Sequence, residues 1–202
     1  MSTLIEGEAL EFHRYGEPVF DPVDIALSPG RAIVLTGPNG VGKTTLLRLL
    51  AGILKPVRGA LAHHAAVAFV GHHPAVKSDL TCRENLTYER RVGPPALPIA
   101  EALAHVGLAG LGSRPARALS AGQRKRLGLA RLLVRKAPVW LLDEPYASLD
   151  DAGCERVDEL IDEQISAGRG VILATHQRHP RVREPECILQ MPLTTQRTGE
   201  RS

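Results

Sequence analysis

Apolar and polar positions alternate along the first third of the chain, and the pattern predicts strands over residues 3–12 and 19–28 joined by a turn around Gly16–Pro18. Pro29-Gly30 breaks that run, and the continuous apolar stretch Ala32–Leu35 then predicts a buried strand. Residues 43–54 carry helical apolar spacing that stops near Pro56, and Ala65–Val70 predicts another short buried strand. From Pro74 to Pro138 the period is helical, with segments near 81–91, 99–107 and 120–136 separated by Gly/Pro breaks at 93–98 and 107–115. Thr81-x-x-Glu84 and Ser120-x-x-Gln123 both fit a capping box, which gives two of those helices defined starts. Strand and helix alternate again afterwards, with strands at Val139–Leu142 and Val171–Ala174, a helix over 151–167 and a weaker strand over 186–191. The polar residues from Pro192 onward are expected to fray. This order predicts one α/β domain with a mainly parallel sheet, its core drawn from residues 1–73 and 138–191 and a helical subdomain inserted over 74–137.

Composition narrows the function classes. With 44% apolar and 23% charged residues the chain has an ordinary globular balance. No run approaches the roughly 18–20 apolar residues of a membrane-spanning helix, and the first twenty residues lack a secretory pattern, so neither a membrane-spanning nor a secreted protein is expected. Cys82, Cys154 and Cys187 are odd in number and widely spaced, and they read as inert thiols. Residues 114–136 hold eight basic side chains (Arg114, Arg117, Arg124, Lys125, Arg126, Arg131, Arg135 and Lys136) and no acidic one, a stretch that suits either an anion or a solvated helix face. Seven aromatic residues in the whole chain leave little to interleave with it for nucleic-acid binding, and no nucleic-acid partner is expected.

Three motifs carry chemistry. Gly37-Pro38-Asn39-Gly40-Val41-Gly42-Lys43-Thr44 follows a buried strand and opens a helix. Glycines at those spacings let the loop curl so that backbone N–H groups converge on a phosphate, Lys43 reaches the outer phosphates and Thr44 is placed to ligate Mg²⁺. The apolar strand Val139–Leu142 ends in Asp143 and Glu144, two carboxylates at the edge where open α/β sheets bind ligands. Asp143 suits the cation and Glu144 suits activation of an attacking water. Leu119-Ser120-Ala121-Gly122-Gln123 starts a basic helix and, beyond capping it, offers a second anion site, which suggests two nucleotides or two chains.

These pieces, in this order and over nearly the whole chain, resemble the nucleotide-binding subunits of ABC transporters. The Walker A motif is residues 37–45, the signature 119–123, Walker B 139–144, the D-loop Ser148-Leu149-Asp150, and the switch histidine His176. The resemblance implies a P-loop NTPase fold with an N-terminal antiparallel β part and a small helical subdomain. It also implies a homodimer in which the Walker A of one chain and the signature of the other enclose ATP with Mg²⁺. Gly37, Pro38, Asn39, Gly40, Val41, Gly42, Lys43, Thr44 and Thr45 would then hold phosphates. Thr44 and Asp143 would serve the metal, Glu144 would be the general base, and His176 would contact the γ-phosphate. Ser120, Gly122 and Gln123 would act across the interface, and Asp150 would couple the two sites.

The chain departs from the family's pattern in two places. Ala121 stands where most members have glycine, which a helix accepts if the position does not need positive φ. The glutamine expected after the third core strand is absent from Phe69-Val70-Gly71-His72-His73-Pro74, so His73, or His72, takes its place beside the metal. Tyr15 is the candidate for stacking on adenine, with His13 and Phe12 as rivals.

The segment GHHPAVKSDLTCRENL (71–86), with LSAGQ and ATHQ, resembles the cytochrome c biogenesis ATP-binding export proteins. That resemblance implies integral membrane partners of the cytochrome c maturation complex, indirect action on a haem chaperone, and a peripheral position on the cytoplasmic face of the inner membrane. The alternatives are the ATPase of another ABC transporter, a soluble ABC protein acting on nucleic acid or ribosomes, and a small-molecule kinase. Only 76 residues separate Lys43 from Ser120, too few for the coiled coil of repair members, and no lid with an acceptor site is evident.

Overall fold

The computed structural model describes residues 3–91, 94, 96–176 and 187–191. Its strands are β1 (Ile5–Glu11), β2 (His13–Arg14), β3 (Glu17–Pro18), β4 (Val23–Leu27), β5 (Ala32–Thr36), β6 (Arg58–His63), β7 (Val67–Val70), β8 (Val139–Asp143), β9 (Gly170–Ala174) and β10 (Cys187–Gln190). Its helices are α1 (Lys43–Leu50), α2 (Cys82–Glu89), α3 (Ile99–His105), α4 (Ala121–Leu133) and α5 (Asp151–Ser166). The central sheet runs β10-β5-β9-β8-β7, and every pair in it is parallel. A separate antiparallel sheet, β4-β1-β6, is built from the N-terminal part.

Both faces of the central sheet are covered, which is why its strands read as unbroken apolar runs. Ala32 and Val34 face one core with Trp140, Leu142, Val171 and Leu173, where the residues of α2–α5 pack. Ile33 and Leu35 face the other with Leu141 and Ile172, against α1 and the inner face of the antiparallel sheet at Ile5, Leu10, Ile25 and Leu27. The period of two along each strand sorts its residues between the two cores.

Three local differences from the sequence expectation have identifiable causes. Helix α1 ends at Leu50 rather than 54 because Gly52, at φ +69°, closes a Schellman turn in which Ile53 N–H donates to Arg48 O and Gly52 N–H to Leu49 O. Strand β6 was not expected from Arg-Gly-Ala-Leu-Ala-His, and it forms through pairing with β1. Gly59 meets the β1 bulge so closely there that a Cβ would collide with the carbonyls of Glu8 and Ala9. The expected strand over 19–28 is confined to Val23–Leu27, since Glu17–Pro18 turns back on His13–Arg14 as a small hairpin. The tail from Pro192 lies outside the described residues, whereas the weak strand near 186–191 is present as β10.

Candidate functional site

Because β5, β7, β8 and β9 are parallel, the loops that leave their C-terminal ends converge on one edge of the sheet. There the loop between β5 and α1 curls through Gly37, Gly40 and Gly42 at φ +135°, +87° and +101°, values that an L side chain resists. Gly42 is doubly required, since a Cβ would lie 2.7 Å from the Phe20 ring. Helix α1 starts with no side-chain cap and no acidic residue in its first turn, so its N-terminal amides face the loop uncommitted. The Lys43 ammonium donates to the carbonyls of Gly37 (2.7 Å) and Pro38 (2.9 Å) and so braces the loop it belongs to.

From the adjacent end of β8, Asp143 accepts from the Thr44 hydroxyl at 3.0 and 3.1 Å to its two oxygens. These are hard oxygen donors of the kind Mg²⁺ takes when it shares its shell with phosphates. Among the described residues no group of three or more His, Cys, Asp and Glu side chains is placed to hold a metal. Glu144, at φ +50°, turns away from the strand while its N–H donates to Ala174 O at 2.9 Å. Its carboxylate meets His176 Nδ1 at 2.7 Å, a contact only 13% exposed on the glutamate side.

Helix α4 begins at Ser120, whose hydroxyl accepts from Gln123 N–H (3.2 Å), while the Gln123 side chain accepts from Ser120 N–H (3.0 Å). Both expected capping boxes are therefore formed, the second by Thr81 with Glu84. Ala121 does not adopt positive φ, which explains how a methyl group is accommodated there. Asp150 caps α5 by accepting from Gly153 N–H at 2.9 Å, next to Ser148 at φ +66°.

His72 and His73 stand edge to face with ring centroids 4.9 Å apart and border a cavity of about 210 Å³ with Arg124, Lys125 and Ser148. Tyr15, at the tip of the β2–β3 hairpin, is fully exposed, whereas Phe12 packs against the core and His13 lies 3.5 Å from the Glu11 carboxylate. Of the three, Tyr15 is the most exposed.

The basic stretch does not form one patch. Arg131 and Arg135 pair with Glu89, Arg117 with Asp79, Arg126 donates to Gly107 O, and Lys125 is buried. Sequence reasoning placed Lys125 in a basic stretch that suits either an anion or a solvated helix face, and the structure buries it. Its signal was the spacing: Gly122, Lys125 and Gly128 recur at three-residue steps on the inward face of α4. Burial pushes the Lys125 ammonium down to about 8, opposed by the charges of Asp143 and Glu144.

A phosphate loop, two carboxylates at the sheet edge and a helical insertion carrying a second helix N-terminus define a P-loop ATPase of the ATP-binding cassette class. The model of the ABC transporter family matches residues 20–147, and the chain belongs to that family. Within it, the chain is 44% identical over 189 residues to the cytochrome c biogenesis ATP-binding export protein CcmA of Xanthomonas campestris pv. campestris (strain 8004), covering 86% of each chain. It is 42% identical to the protein of that name from Rhodobacter capsulatus, over 86% of this chain and 81% of the other. Among solved structures, a metal-chelate type ABC transporter in an inward-facing conformation superposes with a TM-score of 0.75 at 28% identity, over 87% of this chain and 74% of that one. The chain is thus an ATP-binding, ATP-hydrolysing subunit of the class that pairs and works with membrane partners.

Proposed function

We propose that this chain is the ATPase of a membrane complex for c-type cytochrome biogenesis, acting as a homodimer at the cytoplasmic face of the inner membrane to drive haem export or release of a haem-loaded chaperone. Similarity to CcmA proteins over 86% of the chain supports the assignment of the complex. The contact between Glu144 and His176, beside the Thr44–Asp143 pair, carries the hydrolytic reading. No helix among the described residues is long and apolar enough to cross a membrane.

In this reading the uncapped amides of α1 and the ammonium of Lys43 bind the phosphates, together with Thr45 and the backbone of residues 37–42. Thr44 and Asp143 would hold Mg²⁺, which would supply positive charge at the outer phosphates. Glu144 accepts the proton of the attacking water, and His176 holds that carboxylate in place and contacts the γ-phosphate. Tyr15 stacks on adenine. Ser120, Gly122 and Gln123 of one protomer approach the γ-phosphate of its partner, Asp150 links the two sites, and His73 takes the position of the missing glutamine. One domain holds all of this, with a core of residues 1–73 and 138–191 and a helical subdomain over 74–137.

The test is purification of the tagged chain from its native membranes in mild detergent, with the co-purifying integral proteins identified by mass spectrometry. Cytochrome c maturation subunits and a haem chaperone are the expected partners. Recovery of an unrelated permease would overturn the choice of complex and leave the ATPase assignment standing, while ribosomes or nucleic acid alone would overturn the membrane role.

A further inference from the structure

Three inward positions of α4 lie against the C-terminal ends of β7 and β8 and the two loops that leave them. At Gly122 a Cβ would lie 2.9 Å from Ser148 O, and at Gly128 it would lie 2.6 Å from the Pro74 ring, so both glycines allow the helix to approach closely. Lys125 lies between them and is 3% exposed, an unusual place for an ammonium group. Its Nζ lies 3.4 Å from His72 O, in the loop that leaves β7, and 3.4 Å from Asp143 O, at the carboxylate end of β8. Each bond is long for a charge-assisted one and is individually weak. Burial gives the pair its force, because an ammonium only 3% exposed has little contact with bulk water to replace a lost carbonyl. A methionine of similar length would fill the space and make neither bond.

We propose that Lys125 is a positioning residue, a peg from α4 that ties the His72–Pro74 loop to the end of β8 and so holds that loop and the Asp143–Glu144 carboxylates in one arrangement. The inference rests on the ATPase reading for its effect on turnover, but the tie itself is independent of it. Lys125 touches neither nucleotide nor water in this role and acts through the backbone of the residues it joins. Removal of the tie therefore loosens the catalytic geometry and leaves the phosphate loop, which Lys43 braces from its own side, as it was.

The experiment compares the full chain with Lys125→Met and Lys125→Arg by amide hydrogen exchange, steady-state ATP hydrolysis and thermal melting. In Lys125→Met, exchange in peptides spanning 69–76 should speed by about fivefold or more while α1 peptides keep their rate. Turnover should fall about tenfold with KM within about twofold, the split expected when reacting groups are misplaced and ground-state binding is kept. Lys125→Arg keeps the cation and should recover at least half of both effects.

Unchanged loop exchange in Lys125→Met overturns the tie. Faster exchange with unchanged turnover overturns its effect on the carboxylates, and so does a parallel loss of turnover and nucleotide binding that Lys125→Arg fails to rescue, the pattern of a packing defect. If Lys125→Met does not fold, Lys125→Gln is read by the same exchange measurement, and a loop exchanging at the wild-type rate overturns the tie equally. Absence of hydrolysis by the wild-type chain with bound ATP would instead count against the ATPase reading, and the exchange result would still decide the tie.

Discussion

Replacement of Glu89 by glutamine should destabilise the helical region without weakening nucleotide binding. Glu89 closes α2 and accepts from Arg131 Nε and Nη2 at 2.9 and 2.8 Å and from Arg135 Nη1 at 2.8 Å, joining α2 to the far end of α4. The carboxylate is 7% exposed and the two arginines 19% and 23%. Glutamine keeps the shape and one acceptor, but it turns an amide N–H₂ toward guanidinium donors and leaves two cations without a counter-charge. Removing one partner of a buried pair costs about 3–5 kcal/mol. Water reaches part of both arginines, which brings the expected loss to about 2–4 kcal/mol.

For a chain of this length each kcal/mol lowers Tm by about 2–4 °C, so melting followed by circular dichroism should show a fall of roughly 5–15 °C. Titration with a fluorescent ATP analogue should give a Kd within about twofold of wild type, because the phosphate loop belongs to the other core. Burial by itself pushes the Glu89 carboxyl up, but hydrogen bonds from Arg135 and Arg131 overcome it and hold the group below the ordinary carboxylate range. A depressed folded value means the stabilisation is complete above the unfolded value of about 4.3 and is lost as pH falls through the folded one. The gap in Tm between wild type and Glu89→Gln should therefore be constant near neutrality and close only in acid. A Tm within about 2 °C of wild type at pH 7 would refute the reasoning, because desolvation would then have cancelled the whole attraction.

Two further substitutions probe the nucleotide edge. Lys43→Ala removes the ammonium from the phosphate loop and should weaken ATP binding by more than about tenfold in equilibrium titration, the loss of one charge-assisted contact or more; normal affinity would remove the loop from the site. Glu144→Gln keeps the hydrogen bond with His176 possible but removes the base, so ATP should still bind and turnover should fall by about 10²-fold or more, with a dimer accumulating on size exclusion in the presence of ATP. Hydrolysis at the wild-type rate would take Glu144 out of the mechanism.

Much of the site was legible before the fold, because phosphate binding imposes local rules. A glycine-rich turn with positive φ, a helix N-terminus and a lysine follow one another within eight residues, so periodicity and spacing place them without distant contacts. The two capping boxes and the abrupt end of β8 in two carboxylates are local in the same way. Strand β6 was illegible for the opposite reason: its residues are mostly exposed and lack strong alternation, and a non-local pairing with β1 makes it a strand. The early stop of α1 was written in Gly52, but apolar residues beyond it masked the signal.

The alternation of strand and helix, the phosphate loop, the paired carboxylates and the order of motifs that marks the ABC family can all be read along the chain. All of these depend on residues close together in the chain. Which cations are surface charges and which belong to the interior is set by long-range packing. Among the eight basic side chains of one stretch, the sequence marks Lys125 only by its place between Gly122 and Gly128, and it does not set Arg131 and Arg135 apart from the rest. Packing of α4 against α2 gives Arg131 and Arg135 a buried carboxylate, and packing against β7 and β8 gives Lys125 two backbone carbonyls. The physical reason is that the cost of burying a charge is set by partners that arrive from elsewhere in the chain.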